Sequence, residues 1–220
     1  MNMSALGNVA VVVGAGSGMG RIHARRLARD GFRVVAVDVD RAGLAETKGD
    51  TSMKLEVADV RDLASIRALV ERVEDELGPI VALRHTAGIM PTELLLKQDP
   101  EVVARVMRVN FEGAVHVAST VVKKMAERGR GSAVFYGSVA GYALTPHMGA
   151  YCASKAALTA YIEVLIEETR GSGVSVHLVC PPMVATPLID QARNTSNPKS
   201  LMQATEQNLF ADPDDVVDRV

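Results

Sequence analysis

The chain has 220 residues, 48% of them hydrophobic, enough for a sizeable core in one domain. Its 24 basic and 26 acidic residues leave a net charge of −2 with no long block of one sign, so nothing electrostatic supports a nucleic-acid or membrane-surface partner. Cys152 and Cys180 stand in no metal or redox spacing, the five histidines form no ligand pair, and no apolar run reaches the roughly 18 residues of a membrane span, so the expectation is no metal, buried thiols and a cytoplasmic location.

Val9–Val13 is a short β-branched run that predicts a strand, and GAGSGMG follows it. A helix over Gly18–Asp30 comes next, with Ile22 and Leu27 among arginines. A strand, a glycine turn and a helix N-terminus make a phosphate site, because free backbone N–H groups and the positive end of the helix dipole face the anion. Gly14, Ser17, Gly18, Met19 and Gly20 are therefore candidate cofactor contacts. The cluster Arg21, Arg25, Arg26 and Arg29 reads as the solvated helix face, and only Arg21 is near enough in sequence to reach a phosphate. A second strand, Arg33–Val37, ends in Asp38, eighteen residues past Gly20. A carboxylate at about that distance binds the adenosine ribose hydroxyls and repels a 2′-phosphate, which favours NAD over NADP. Arg41 is expected to face solvent.

Further strands are expected at Met53–Val57, Ile80–Leu83, Ala133–Tyr136 and Val174–Val179. Helices are expected at Asp62–Leu77, Pro100–Arg128 and Ala150–Arg170, after Pro187, and from Asp214 onward. Continuous apolar strands alternating with helices predict an α/β fold: a doubly wound parallel sheet of Rossmann type in a single domain over 1–220. Ligands of such sheets bind beyond the carboxyl ends of the strands. Gly14–Gly20, Asp38, Asp59, Ala87–Gly88, Ser138 and Pro181–Thr186 all follow strands and should gather on one edge.

Tyr151 and Lys155 sit four apart, on one face of a helix, and Ser138 lies thirteen residues before the tyrosine at the end of a buried strand. An ammonium beside a phenol favours the phenolate, so this pairing is expected to lower the tyrosine pKa and make it a general acid or base for an alcohol or ketone. A hydroxyl at Ser138 could hold the substrate oxygen.

With these motifs in order, the chain resembles the short-chain dehydrogenase/reductase family over residues 6–220, in its short catalytic branch. The spacing of Gly14, Gly18 and Gly20 fits the family's glycine motif. Asp59–Val60 matches the pair that contacts adenine, and Ala87–Gly88 matches the end of its Asn-Asn-Ala-Gly segment. Thr186, in PPMVATP, matches a residue near the nicotinamide carboxamide, which brings Pro181 and Val184 into the candidate cofactor set. Ser138, Tyr151 and Lys155 match the family's reacting trio, and Asn110 matches the asparagine that holds a proton-relay water near the lysine. The resemblance implies that Lys155 also holds the nicotinamide ribose.

Several residues depart from the family pattern. Val13 replaces a threonine, His85 and Thr86 replace the two asparagines, and Pro182 replaces a glycine. The first two changes are expected to remove polar ties between neighbouring loops, with His85 packed or backbone-bonded. Pro182 is expected to stiffen the chain near the nicotinamide. The sequence stops inside an expected helix, DPDDVVDRV, where the family continues into a last strand, so the domain is expected to lack that strand.

The implied activity is hydride transfer between NAD(H) and a small-molecule secondary alcohol or ketone. Met90, Leu144, His147, Met148, Met183 and Leu188 flank the reacting groups and suggest an apolar, adaptable pocket, with His147 able to meet a polar substrate group. A dinucleotide-binding regulator or scaffold with little turnover is the alternative. Apolar residues on the two long helices, including Val115, Val121, Val122, Leu158, Ile162, Leu165 and Ile166, exceed what one sheet face needs. The resemblance pairs these helices across a homodimer, with a homotetramer only if a further strand exists.

Overall fold

A computed structural model describes residues 8–220. Six strands, β1 (Val9–Val13), β2 (Arg33–Asp38), β3 (Lys54–Val57), β4 (Ile80–His85), β5 (Gly131–Tyr136) and β6 (Val174–Val179), form one sheet in the order β3-β2-β1-β4-β5-β6. Every pairing is parallel. The doubly wound α/β architecture is therefore as expected. Alternate residues of β1 divide between two cores. Val9, Val11 and Val13 meet the helices that follow β3, β4 and β5, while Ala10 and Val12 meet α1 (Gly18–Arg29) and α2 (Arg41–Lys48). Burial on both faces is why β1 reads as an unbroken apolar run, whereas the edge strands β3 and β6 are partly exposed and carry polar residues. The order reverses beside β1, so the loops after β1 and β4 diverge and leave a crevice at the carboxyl edge.

The helices show where local signals sufficed. Asp62 caps α3 (Leu63–Leu77) by accepting the Ser65 N–H at 3.1 Å, and Gly78 ends it at φ +96°. Chain 100–128 is one continuous helical rod, as expected, but it is not uniform. Here α4 (Pro100–Met107), α5 (Gly113–Val117) and α6 (Lys123–Arg128) are separated by π-helical turns at Arg108–Glu112 and Ala118–Val122. α7 (Gly149–Glu168) packs beside it, with Phe111 and Tyr161 edge-to-face at 6.1 Å.

Two helices were not anticipated. Asp40 caps α2 through the Ala42 N–H, and α9 (Lys199–Glu206) follows α8 (Leu188–Arg193). Each is only about two turns long, too short for a 3.6-residue pattern to stand out. α10 (Pro213–Asp218) packs on α1, where Arg26 bonds Asp214 at 2.6 Å and also pairs with Asp218. Arg25 donates to the Thr47 and Glu46 carbonyls at the end of α2. These two arginines thus tie helices together rather than forming a merely solvated face.

The apolar surplus expected on the long helices is mostly used within the chain. Val121, Val122, Leu158 and Ile162 are buried in the sheet's own core, and Leu165 and Ile166 are packed against it. Among the described residues no helix is long and apolar enough to cross a membrane, and no His/Cys/Asp/Glu group could hold a metal ion. Both cysteines are free.

Candidate active site

Two connected cavities open at the carboxyl edge of the sheet. The larger, about 800 Å³, is lined by Gly14, Ser17, Gly18, Met19, Gly20, Asp38, Asp59, Val60, Ala87, Gly88 and Thr186, as the sequence motifs anticipate. The smaller, about 200 Å³, is lined by Ser138, Tyr151, Lys155, Pro181 and Val184. Met19, Thr86, Gly88, Thr186 and Leu188 border both, so the two form one continuous crevice.

The larger cavity fits a dinucleotide. Gly14 has φ +84°, and a Cβ there would lie 2.5 Å from the Ala87 nitrogen, which forces glycine at the turn. A Cβ on Gly20 would lie 2.0 Å from the Gly14 carbonyl oxygen, so this glycine lets α1 start against the turn. Ser17 caps α1 without a side-chain bond, leaving first-turn N–H groups for an anion. Asp38 Oδ2 accepts the Gly16 N–H at 2.8 Å and Oδ1 accepts the Asp40 N–H at 3.0 Å. These bonds hold the carboxylate at the groove wall. Arg61 clasps Asp59 and holds its carboxyl below the usual range.

Arg21 does not serve the phosphate site. Its guanidinium bonds Thr47 at 3.0 Å, the Gly16 carbonyl at 2.5 Å and Glu46 at 2.8 Å, so it braces the glycine turn from behind. Thr86 also corrects an expectation. Far from losing the loop tie, its hydroxyl shares its one proton between the Val13 and Gly14 carbonyls, at 3.0 and 3.2 Å. His85 makes no such bond. It is 1% exposed against Phe135, and neither ring nitrogen has a hydrogen-bond partner among the described residues. Burial, helped by the Lys155 charge, pushes it down to about 3, so it is neutral.

Ser138, at the end of β5, caps a 3₁₀ turn by accepting the Ala140 N–H at 3.1 Å. α7 carries Tyr151 and Lys155 on its buried side, each 5% exposed. Lys155 Nζ lies 5.8 Å from the Tyr151 ring centroid and donates to the Tyr136 carbonyl at 2.7 Å. The expected lowering of the tyrosine is not what this environment produces. Burial pushes Tyr151 up to about 12, opposed by its bond with Ser138, and burial pushes Lys155 down to about 8. Loss of water raises the cost of each charged form more than the neighbouring groups reduce it.

Asn110 sits in the first π-helical turn and is fully buried. Its side chain is committed to protein: Oδ1 accepts the Ile89 N–H at 2.8 Å, and Nδ2 donates to the Ile89 carbonyl at 2.9 Å and to Ser154 Oγ at 3.0 Å. The residue thereby ties the loop after β4 to α7. A Cβ on Gly88 would meet both Asn110 Oδ1, at 3.4 Å, and Lys155 Nζ, at 3.9 Å, so the absence of a side chain there keeps the space between them open.

Met90, Met148, Met183 and Leu188 line the smaller cavity as anticipated, joined by Ala140, Ile189, Ala192 and Leu201. Leu144 does not; it is 77% exposed. His147 also stands outside the lining, with Nδ1 bonded to Ser196 Oγ at 2.9 Å. The sequence anticipates α8 and Leu188 but not the α9 part of this wall, because the short α9 carries no signal of its own.

A glycine turn on β1, an acid ending β2, and a Ser/Tyr/Lys group across the crevice define a dinucleotide-dependent oxidoreductase of the Rossmann class. The chain belongs to the short chain dehydrogenase family, whose model matches residues 8–197. It is 35% identical over 219 residues to a D-threitol dehydrogenase of Mycolicibacterium smegmatis, covering 96% of this chain and 83% of that protein. It is 31% identical over 223 residues to 2-(S)-hydroxypropyl-CoM dehydrogenase 3 of Xanthobacter autotrophicus, covering 96% and 87%. Among solved structures, an actinorhodin polyketide ketoreductase with NADPH superposes with a TM-score of 0.88 at 28% identity, covering 100% of this chain and 90% of that one.

Proposed function

We propose that the protein interconverts an uncharged, largely apolar secondary alcohol and its ketone with NAD(H). The observation that carries this reading is the junction of the two cavities, where Tyr151, Ser138 and Lys155 meet a wall of methionine, leucine, isoleucine and alanine. Among the described residues, Lys155 is the charged side chain that lines that cavity.

The bound dinucleotide supplies the hydride exchange, and the protein supplies position and protons. Gly14, Ser17, Gly18, Met19 and Gly20 would hold the pyrophosphate, Asp38 the adenosine ribose, Asp59 and Val60 the adenine end, and Ala87, Gly88, Pro181, Val184 and Thr186 the nicotinamide end. In reduction the Tyr151 hydroxyl gives its proton to the carbonyl oxygen, and Ser138 donates a hydrogen bond to the same oxygen. A phenol held at about 12 is fully protonated at neutral pH and ready for that role. Lys155, fixed by the Tyr136 carbonyl, would offer its remaining N–H groups to the ribose and its charge to the phenolate as it forms. Asn110 keeps the Ile89 loop and α7 in register around the lysine. In oxidation each proton moves the opposite way.

The carboxylate of Asp38 favours NAD. A relative solved with NADPH makes the cofactor ratio a direct test. A screen of cyclic and aliphatic ketones with NADH, followed at the NADH absorbance, should find turnover in the wild type. Tyr151→Phe should lose at least about 1,000-fold in kcat while its NAD Kd stays within about twofold, since only the proton donor is removed. A variant retaining most of the rate would refute the assignment. A wild type that binds NAD and turns over nothing would favour the regulator reading.

A further inference from the structure

The α8–α9 wall belongs to the pocket, yet its two helices are short and it stands at the rim. What holds it is polar and comes from two distant stretches of chain. Thr92, in the loop after β4, is the hub and is 2% exposed. Its N–H donates to Thr195 Oγ1 at 2.9 Å, and its hydroxyl donates to the Ala192 carbonyl at 3.2 Å. Ser196 Oγ donates to Thr92 Oγ1 at 3.1 Å, and His147 Nδ1 lies 2.9 Å from the same Ser196 oxygen. Thr195 in turn donates to the Gln191 carbonyl at 2.9 Å, and Gln191 Oε1 accepts the Met90 N–H at 2.8 Å.

Thr92 Oγ1 also lies 2.9 Å from Thr195 Oγ1, so the hub hydroxyl meets Ala192, Thr195 and Ser196 at once, and the contact between His147 and Ser196 extends the network to the start of α7. His147 is also fixed through its backbone. It adopts φ +70°, uncommon for a residue with a side chain, and its carbonyl accepts the Glu93 N–H at 2.9 Å. One strained residue thereby grips both the loop after β4 and the segment between α8 and α9.

Behind this network lies one apolar cluster. Tyr151 packs with Met90, Ala140, Ile189, Ala192 and Leu201, so the wall that the network holds is the wall that shuts water away from the phenol. We propose that Thr92, Thr195, Ser196 and His147 form a latch that positions α8 and α9 as the size-selecting wall of the substrate pocket. The latch residues touch neither substrate nor reacting atoms in this scheme. They act through Leu188, Ile189, Ala192 and Leu201. The inference rests on the reading of the smaller cavity as the substrate site.

Thr92→Val removes the hub hydroxyl at nearly constant volume, and Thr92→Ser keeps it. Two readouts separate this inference from the functional reading. The first is amide hydrogen exchange over residues 188–206 in the protein without substrate, which needs no turnover. In T92V it should accelerate about tenfold, with T92S close to the wild type and the β1–β4–β5 amides unchanged. The second is kinetic, with NADH and the ketones cyclohexanone and tetralone. Loss of the hub bonds should raise the KM for tetralone about tenfold in T92V, with kcat within about threefold and T92S restoring the wild-type value. Ser196→Ala, at a half-buried site away from the core, cuts His147 from the hub and should shift both readouts the same way by about threefold, which guards against a T92V that fails to fold. Unchanged exchange in T92V, or equal losses in T92V and T92S, would overturn the latch. Faster exchange with an unchanged KM would overturn its role in positioning the wall. Absence of turnover in every protein, with exchange as expected, would leave the latch standing as a structural element and count against the positioning role and the functional reading together.

Discussion

Two buried histidines should make the protein sensitive to mild acid. His23 and His85 are both held down to about 3 from an ordinary 6.5. Burial is the main cause in each, aided by Arg84 and Arg26 at His23 and by Lys155 at His85. His23 shares a 2.6 Å hydrogen bond with the Tyr136 hydroxyl under α1, whereas His85 has no partner among the described residues. In the unfolded chain both rings take up a proton as pH falls through 6.5, and in the folded chain neither does until about 3. The unfolded state therefore binds more protons within that window, so stability is fully present above 6.5 and is lost as pH falls toward 3.

At pH 5 an unfolded histidine is about 97% protonated, which costs about 2 kcal/mol of folding stability relative to pH 7. The pair costs about 4 kcal/mol, and any folded-state value well below 5 gives the same figure. That is a large part of a usual stability of about 5–15 kcal/mol. Carboxylates add little in this range, because ordinary ones stay mostly ionised at pH 5. Urea unfolding without added nucleotide, followed by circular dichroism at pH 7 and pH 5, measures the loss as a midpoint fall of about 1–2 M. His85→Leu removes one titration and two orphaned nitrogens. It should be at least as stable as the wild type at pH 7 and should halve the loss to pH 5. A wild-type loss below about 1 kcal/mol, or an undiminished loss in His85→Leu, would refute the reasoning.

Asp38→Ala should weaken a wild-type preference for NAD over NADP, read as the ratio of kcat/KM for the two cofactors; a wild type that prefers NADP would show the carboxylate overridden. A homodimer through the long helices rests now on a smaller surface, since Val164 at 56% exposure is the large apolar residue left facing out on α7. Light scattering of the 220-residue chain should still give a dimer at micromolar concentration, and a monomer would remove that proposal.

The parts of the fold that were legible in the sequence are those set by local chemistry. A strand buried on both faces must be apolar, so β1 and the central parts of β2 and β5 announced themselves. A turn where a Cβ would fall 2.5 Å or less from neighbouring backbone must be glycine, so Gly14 and Gly20 marked the groove. A tyrosine and a lysine four apart share a helix face wherever that helix packs. Their proximity was readable, and their protonation was not. Desolvation depends on everything that covers a group, and at Tyr151 it outweighs the Ser138 hydrogen bond that opposes it. Arg21 was misplaced for the same kind of reason, because a long side chain answers to partners such as Thr47 that only folding supplies. The pocket wall and its latch were the least visible. Thr92, His147 and Ser196 are ordinary loop residues in sequence, 49 to 104 positions apart, and hydrogen bonds between them exist only after β4, α7 and α8 have been packed against one another.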